Sequence, residues 1–281
     1  MSKMKYLLLF VFSYCLPSMA QDALTSDKTF IECEDKWIAM LNKDNSLTYG
    51  FVYIDTQAGL TLDVAGTFKI VDNVFVPSKR ENSSMKVRIP LNNNKVAIIP
   101  SERLKELKID SVPDWLKIYK GENTSVARWF RLGFTYNLWE KCDQALVYLD
   151  KVKTIDPNYK GLKFEYAFAY NVLKQFDKAL VVLNDAIKEN PKDCYLHKEI
   201  VFAQMNLKKP ELAAASAKIG IEACNDDAIK GEIAYNISQQ YYLLKDKEAF
   251  KKWELEAKKW LPSDNVWFKN LGIMNAELNK L

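Results

Sequence analysis

From about residue 126 onward the chain repeats with a period of 34 residues, and a period of this length restricts the fold more than any other feature of the sequence. Trp129, Leu132, Gly133 and Tyr136 are followed by Ala145, Leu149, Val152 and Pro157. One period later stand Tyr170, Ala179, Leu183, Ala186 and Pro191, and in the next unit Ala213, Ala217 and Gly220 take the small-residue places. Such a unit reads as two helices that cross closely at small residues, with the large ones filling the space between units. Pro157 and Pro191 stop the second helix of each pair. No pair can bury its apolar face alone, so several must stack. The third unit departs from the pattern, with His197 at a large apolar place and Asn225 where the closing proline belongs. The fourth is in register with Tyr241, Ala257 and Pro262 only if residues are inserted between Cys224 and Ile229, and Phe250 then takes a small-residue place. Residues 265–281 read as a last helix that closes the stack.

Trp129, Leu132-Gly133, Tyr136, Ala145 and Pro157 resemble the tetratricopeptide family in both residue type and interval. The resemblance implies a superhelix that binds polypeptides on a concave face lined by the first helix of each hairpin. That stripe holds Phe130, Phe134 and Asn137, then Phe164, Phe168 and Asn171, then Lys198, Phe202 and Met205, and finally Tyr235, Gln239 and Tyr242. Spacings of four and three keep each set on one helical face. The family's clamp for a terminal carboxylate uses Lys, Arg and Asn. Phe130, Phe134, Glu165, Tyr195 and Glu199 stand at those places here, so that activity is not implied. An aromatic stripe is either ordinary core or a surface that something covers. The cover is a partner's helix or extended segment, or else this chain's own linker, through Trp115, Leu116, Ile118 and Tyr119.

The N-terminal part reads differently. Lys3 and Lys5 precede an apolar run from Tyr6 to Cys15, too short to span a bilayer, and Ser18-Met19-Ala20 offers a cleavage site before Gln21. Residues 1–20 are therefore an expected export signal, and no later stretch is apolar enough to cross a membrane. Residues 21–100 are expected to form a small antiparallel β domain, a meander or sandwich. Leu60, Leu62 and Val64 alternate with Thr61, Asp63 and Ala65, which predicts one buried face. Residues 101–125 form a helical linker, with Ser101 capping one helix and a second beginning at Pro113 and ending at Gly121. Residues 126–281 complete an α+β two-domain chain with about four hairpins and a capping helix. The Lys- and Asn-rich composition and the Ala20-Gln21 junction are similar to exported proteins of the Bacteroidota, which implies a periplasmic or secreted protein.

Export makes disulfides permissible. Cys194 opens the first helix of the third hairpin and Cys224 closes the second, so antiparallel helices place them side by side as a candidate disulfide, the alternative being two half-buried thiols. Cys33 and Cys142 have no partner fixed by geometry, although their pairing would tie the two domains together. No catalytic constellation is evident: His197 is the single histidine, and no phosphate loop, serine elbow or double-histidine zinc motif is present. No enzyme activity, cofactor or metal is implied. Net charge is +4, or +2 without Lys3 and Lys5, which does not suggest a nucleic-acid partner. Late lysines (Lys245, Lys247, Lys251, Lys252, Lys258, Lys259) alternate with Glu248, Glu254 and Glu256 as on a solvated helix face. The expected role is a scaffold that holds a protein or peptide partner. The alternatives are a β domain that binds a small molecule or glycan through exposed Trp37, Tyr49 or Tyr53, with the array as docking module, and a β-domain hydrolase with convergent carboxylates.

Overall fold

The computed structural model describes residues 24–78, 85–120 and 125–280. The expected export signal and Gly121 lie outside these residues. The β domain is one antiparallel sheet of seven strands: β1 (Lys28–Thr29), β2 (Lys36–Leu41), β3 (Leu47–Asp55), β4 (Gly59–Val71), β5 (Val74–Pro77), β6 (Met85–Arg88) and β7 (Lys95–Ile98). Their order is β1-β7-β2-β3-β4-β5, with β6 also paired to β4. The run β2 to β5 is the expected meander; no second sheet closes a sandwich among the described residues. Asp72 and Asn73, both with positive φ, form the two-residue turn between β4 and β5. Gly50 is required by close approach: a Cβ there would lie 2.6 Å from the Asp63 carbonyl oxygen across the β3–β4 pair.

The alternation in β4 predicts one buried face, yet Leu60, Thr61, Leu62 and Asp63 are all buried. The reason is that both faces of the sheet are covered. On one face Ile38, Val52, Ile54, Leu60 and Leu62 share a core with Leu132, Tyr136 and Ala145 of the first hairpin. On the other, Trp37, Tyr49, Phe51, Phe68 and Phe75 pack under Leu104, Leu107 and Leu116 of the linker. The linker differs from its expected form. Ser101–Leu107 is a 3-10 helix whose N-cap is Pro100, and the second helix, α1, covers only Leu116–Lys120. The linker is tied down by Trp37 Nε1 donating to the Asp110 carbonyl at 2.8 Å and by the Phe75 amide donating to Glu106 at 2.7 Å.

Four hairpins follow: α2 (Val126–Leu138) with α3 (Cys142–Ile155), α4 (Leu162–Val172) with α5 (Phe176–Glu189), α6 (Cys194–Asn206) with α7 (Pro210–Ala223), and α8 (Asp227–Leu243) with α9 (Lys247–Trp260). Helix α10 (Val266–Leu278) closes the stack, burying Leu271, Met274 and Leu278. The small residues act as the period predicts: a Cβ on Gly133 would come within 2.6 Å of Leu149 Cδ2. Helices α3 and α5 end two residues before Pro157 and Pro191. The insertion inferred between Cys224 and Ile229 is absorbed within a helix, since α8 has 17 residues where α6 has 13. Phe250, at a small-residue place, is buried beside Trp253 in the last core, so a large ring fills the crossing that a small residue leaves open in the other hairpins.

Candidate protein-binding groove

The stripe predicted for the concave face separates into three groups. The first belongs to the packing between repeats. Asn137 and Asn171 are buried, and each donates through Nδ2 to the next repeat: Asn137 to the Glu165 carbonyl at 2.9 Å and its Oε2 at 2.8 Å, Asn171 to the Glu199 carbonyl at 3.2 Å and its Oε2 at 2.8 Å. A buried amide left unpaired is costly, so these four bonds fix the register of consecutive hairpins. Burial pushes the Glu165 and Glu199 carboxyls above the usual carboxylate range, against the opposing effect of the asparagine donors. One period further the pair becomes Met205 and Ile233, and an apolar core takes over.

A second group is engaged with neighbouring elements. Phe130 lies against Tyr159, ring centroids 4.9 Å apart, in the turn before α4. Phe164 meets Tyr195 edge-on. Lys198 is 3.3 Å from Glu232 of α8. Tyr235 is buried and stacks on Trp267 of α10, and Tyr242 donates its hydroxyl to Glu277 of α10. The two tyrosines of the fourth hairpin's part of the stripe are therefore engaged by the closing helix, while Gln239 is exposed.

The third group stays open. Phe134 and Phe202 are 37% and 41% exposed, and Phe168, between them on α4, is half-buried. These three positions recur at the 34-residue period on α2, α4 and α6. The linker does not cover them: Trp115 packs edge-on against Phe51 and Tyr53, Tyr119 against Tyr53, and Ile118 points to solvent at 80% exposure. The linker was the natural cover because its aromatic residues need burial. The sheet supplies that burial instead, through a face rich in aromatic rings.

The remaining sequence candidates are structural. Trp37, Tyr49 and Tyr53 are buried under the linker, which removes the exposed aromatics that a glycan site on the β domain was expected to use. His197 is buried, with Nε2 2.8 Å from the Pro191 carbonyl oxygen, and a Cβ on Gly220 would sit 2.8 Å from His197 Cβ. Cys194 and Cys224 are joined in a disulfide, with Cα atoms 5.0 Å apart. Cys33 and Cys142 are separate buried thiols, each pushed up to about 11 by burial. Two of the late lysines, Lys251 and Lys258, pair with Glu254, whose side chain is enclosed in the helix packing.

Residues 140–198, from the turn between α2 and α3 into α6, match the tetratricopeptide repeat family model. The helical half of the chain is a tetratricopeptide-type array, an architecture of protein–protein interaction scaffolds. Among solved structures, it is similar to MamA of MSR-1 at 18% identity, with 52% of this chain and 82% of that chain covered and a TM-score of 0.43. A thermophilic tetratricopeptide protein of Thermus thermophilus, TTC0263, aligns at 20% identity over 59% of this chain and 88% of its own, with a TM-score of 0.45. MamA from Desulfovibrio magneticus RS-1 aligns at 15% identity over 63% and 85%, with a TM-score of 0.42. No curated protein matches the chain.

Proposed function

We propose that this protein is a non-enzymatic adaptor of the bacterial envelope that holds a partner polypeptide along Phe134, Phe168 and Phe202. The observation that carries this reading is the row of aromatic rings, left accessible at the repeat period while the chain's own linker is packed elsewhere. A helix or extended segment with apolar residues at regular intervals would bury these rings. Covering what remains exposed of each ring contributes about 0.5–1 kcal/mol, a fraction of the value for a fully exposed side chain. The test is affinity purification from the native host with wild type and with Phe134→Glu/Phe168→Glu. The double variant should lose the specific partner while keeping its helical content by circular dichroism. An unchanged partner list would rule out the groove as the holding surface.

The envelope location rests on the Lys3/Lys5 start, the apolar run and the Ala20-Gln21 junction. N-terminal sequencing of the protein recovered from its host should begin at Gln21. A chain that retains Met1 in the cytoplasmic fraction would overturn the location.

A further inference from the structure

We infer that the outer face of α10 is a docking site for a helix of a partner protein, separate from the groove and at the C-terminal end of the array. Helix α10 is the first half of a fifth repeat. Phe268, Leu271, Gly272 and Asn275 stand 34 residues after Ala234, Ile237, Ser238 and Tyr241 of the fourth hairpin, and Phe268-x-x-Leu271-Gly272 matches Trp129-x-x-Leu132-Gly133 of the first. The place of Gly272 is the one at which the two helices of a hairpin cross. Gly133, Ala167, Val201 and Ser238 hold it in the four hairpins, and all four are buried. At Gly133 a Cβ would meet Leu149 and the Ala145 carbonyl oxygen of the second helix. Gly272 is exposed, and a Cβ there would have no described atom within 4 Å. No described helix follows α10, so its crossing place is open.

The surroundings suit a helix. A helix that only closes an array carries a polar outer face, whereas Gly272, Ala276 and the exposed aliphatics Val266 and Ile273 lie among the charges of this one. Beside it a cleft of about 880 Å³ runs between α9 and α10, with Phe250 and Leu255 on one wall and Asn275 and Leu278 on the other. Leu255 is exposed, and Asn275 lies one turn from Gly272, so a helix crossing there borders the cleft and can bury Leu255 as well. The site continues the interface through which α10 already stacks on the fourth hairpin by Leu271, Met274 and Leu278. The occupant follows from the other crossings. The first two are filled by second helices that present a small residue and, one turn on, a leucine: Ala145 with Leu149, and Ala179 with Leu183. An amphipathic helix with that pattern therefore fits the open place. A second copy has no such helix to offer, because α3, α5, α7 and α9 bury their small-residue faces within their own hairpins.

The probe is a labelled peptide of residues 175–190, the α5 segment, titrated with the full-length protein and followed by fluorescence polarisation. It carries the small-residue and leucine places at Ala179 and Leu183. It should bind saturably, and the same peptide with Leu183→Lys should not. Gly272→Leu should lower the affinity about tenfold or more, because a side chain forced into a close helix crossing is costly. The same change should leave the fold intact and raise Tm slightly, since a helical glycine with open space around it gives way to a better helix former. Leu255→Glu, on the α9 wall, should weaken binding too and serves as the second variant. Phe134→Glu/Phe168→Glu should bind the peptide as the wild type does. The absence of saturable binding, or binding indifferent to both Gly272→Leu and Leu255→Glu, overturns the inference. A peptide lost only with the phenylalanine variant sits in the groove, which overturns the inference and leaves the holding function standing. A wild-type dimer in light scattering that Gly272→Leu turns into a monomer gives the face to a second copy and overturns the partner helix.

Discussion

At the scale of single residues, the buried carboxylates carry the clearest consequences. Glu165 sits in the seam between the first two hairpins with Asn137 as its donor, and its carboxyl is raised by burial. A carboxyl raised in the folded state stabilises the fold most below its unfolded value. That contribution is lost as pH rises through the folded value, because a charge must then be kept out of water. Glu165→Gln should therefore make the urea midpoint less dependent on pH above about 4.3 and should not lower it at neutral pH. A strong loss at neutral pH would show that the charged form is the one the seam needs. Removing the donor acts in the opposite sense. Asn137→Ala leaves the carboxyl buried without its side-chain partner and should cost about 1.5–3 kcal/mol, measured by chemical denaturation. Gly220→Ala should destabilise by about 1–3 kcal/mol, because the new methyl meets His197 at its rigid Cβ rather than at a flexible tip.

At the scale of elements, the third hairpin differs from its neighbours. Its helices are joined at their open end by the Cys194–Cys224 disulfide, where the closing proline of the other units is missing. The loop closed by this bond spans 30 residues, and on the chain-entropy account such a bridge contributes about 3–4 kcal/mol. Cys224→Ser should lower the stability of the array by up to that amount. Hydrogen exchange should rise first in α6 and α7, while the β domain keeps its protection. A non-reduced digest should yield a peptide linking Cys194 to Cys224, with Cys33 and Cys142 alkylated only after unfolding. Alkylation of Cys194 and Cys224 in the native protein would contradict the bridge.

At the scale of the molecule, the β domain takes the place of an N-terminal capping repeat. The first hairpin has no preceding hairpin, and Leu132 and Tyr136 fill a core shared with the sheet instead. Lys141 reaches Glu32 at 3.0 Å across the same contact. An open end of a stacked array exposes apolar surface and aggregates. A fragment of residues 125–281 should consequently bind a hydrophobic dye and associate in size-exclusion chromatography, whereas the full chain should not. A monomeric, dye-free fragment would show that the β domain is dispensable to the array. At the other end α10 covers the fourth hairpin, so the accessible groove is confined to α2, α4 and α6.

The 34-residue period settled the helical half from the sequence alone. Gly133, Ala145 and the closing prolines impose a short-range geometry, and that geometry holds wherever the period holds. The place of the third-hairpin disulfide was legible for the same reason, since it depends only on two antiparallel helices. The strands were legible from alternation and turns, but not that both sheet faces are buried, because what lies above a face is decided by distant residues. The groove was legible only as a stripe. Asn137 and Phe134 are three residues apart on one helix, yet packing against the next hairpin buries the first and leaves the second accessible. A cleft beside Phe134 had no signal in the sequence, because Thr56, Lys120, Arg131 and Tyr159 reach it from separate elements. Local periodicity, then, determined which helices form and which of their faces are apolar. Which apolar surfaces remain open, and which charges gather beside them, depended on where the linker and the β domain found their own burial, and that is a property of the assembled tertiary structure.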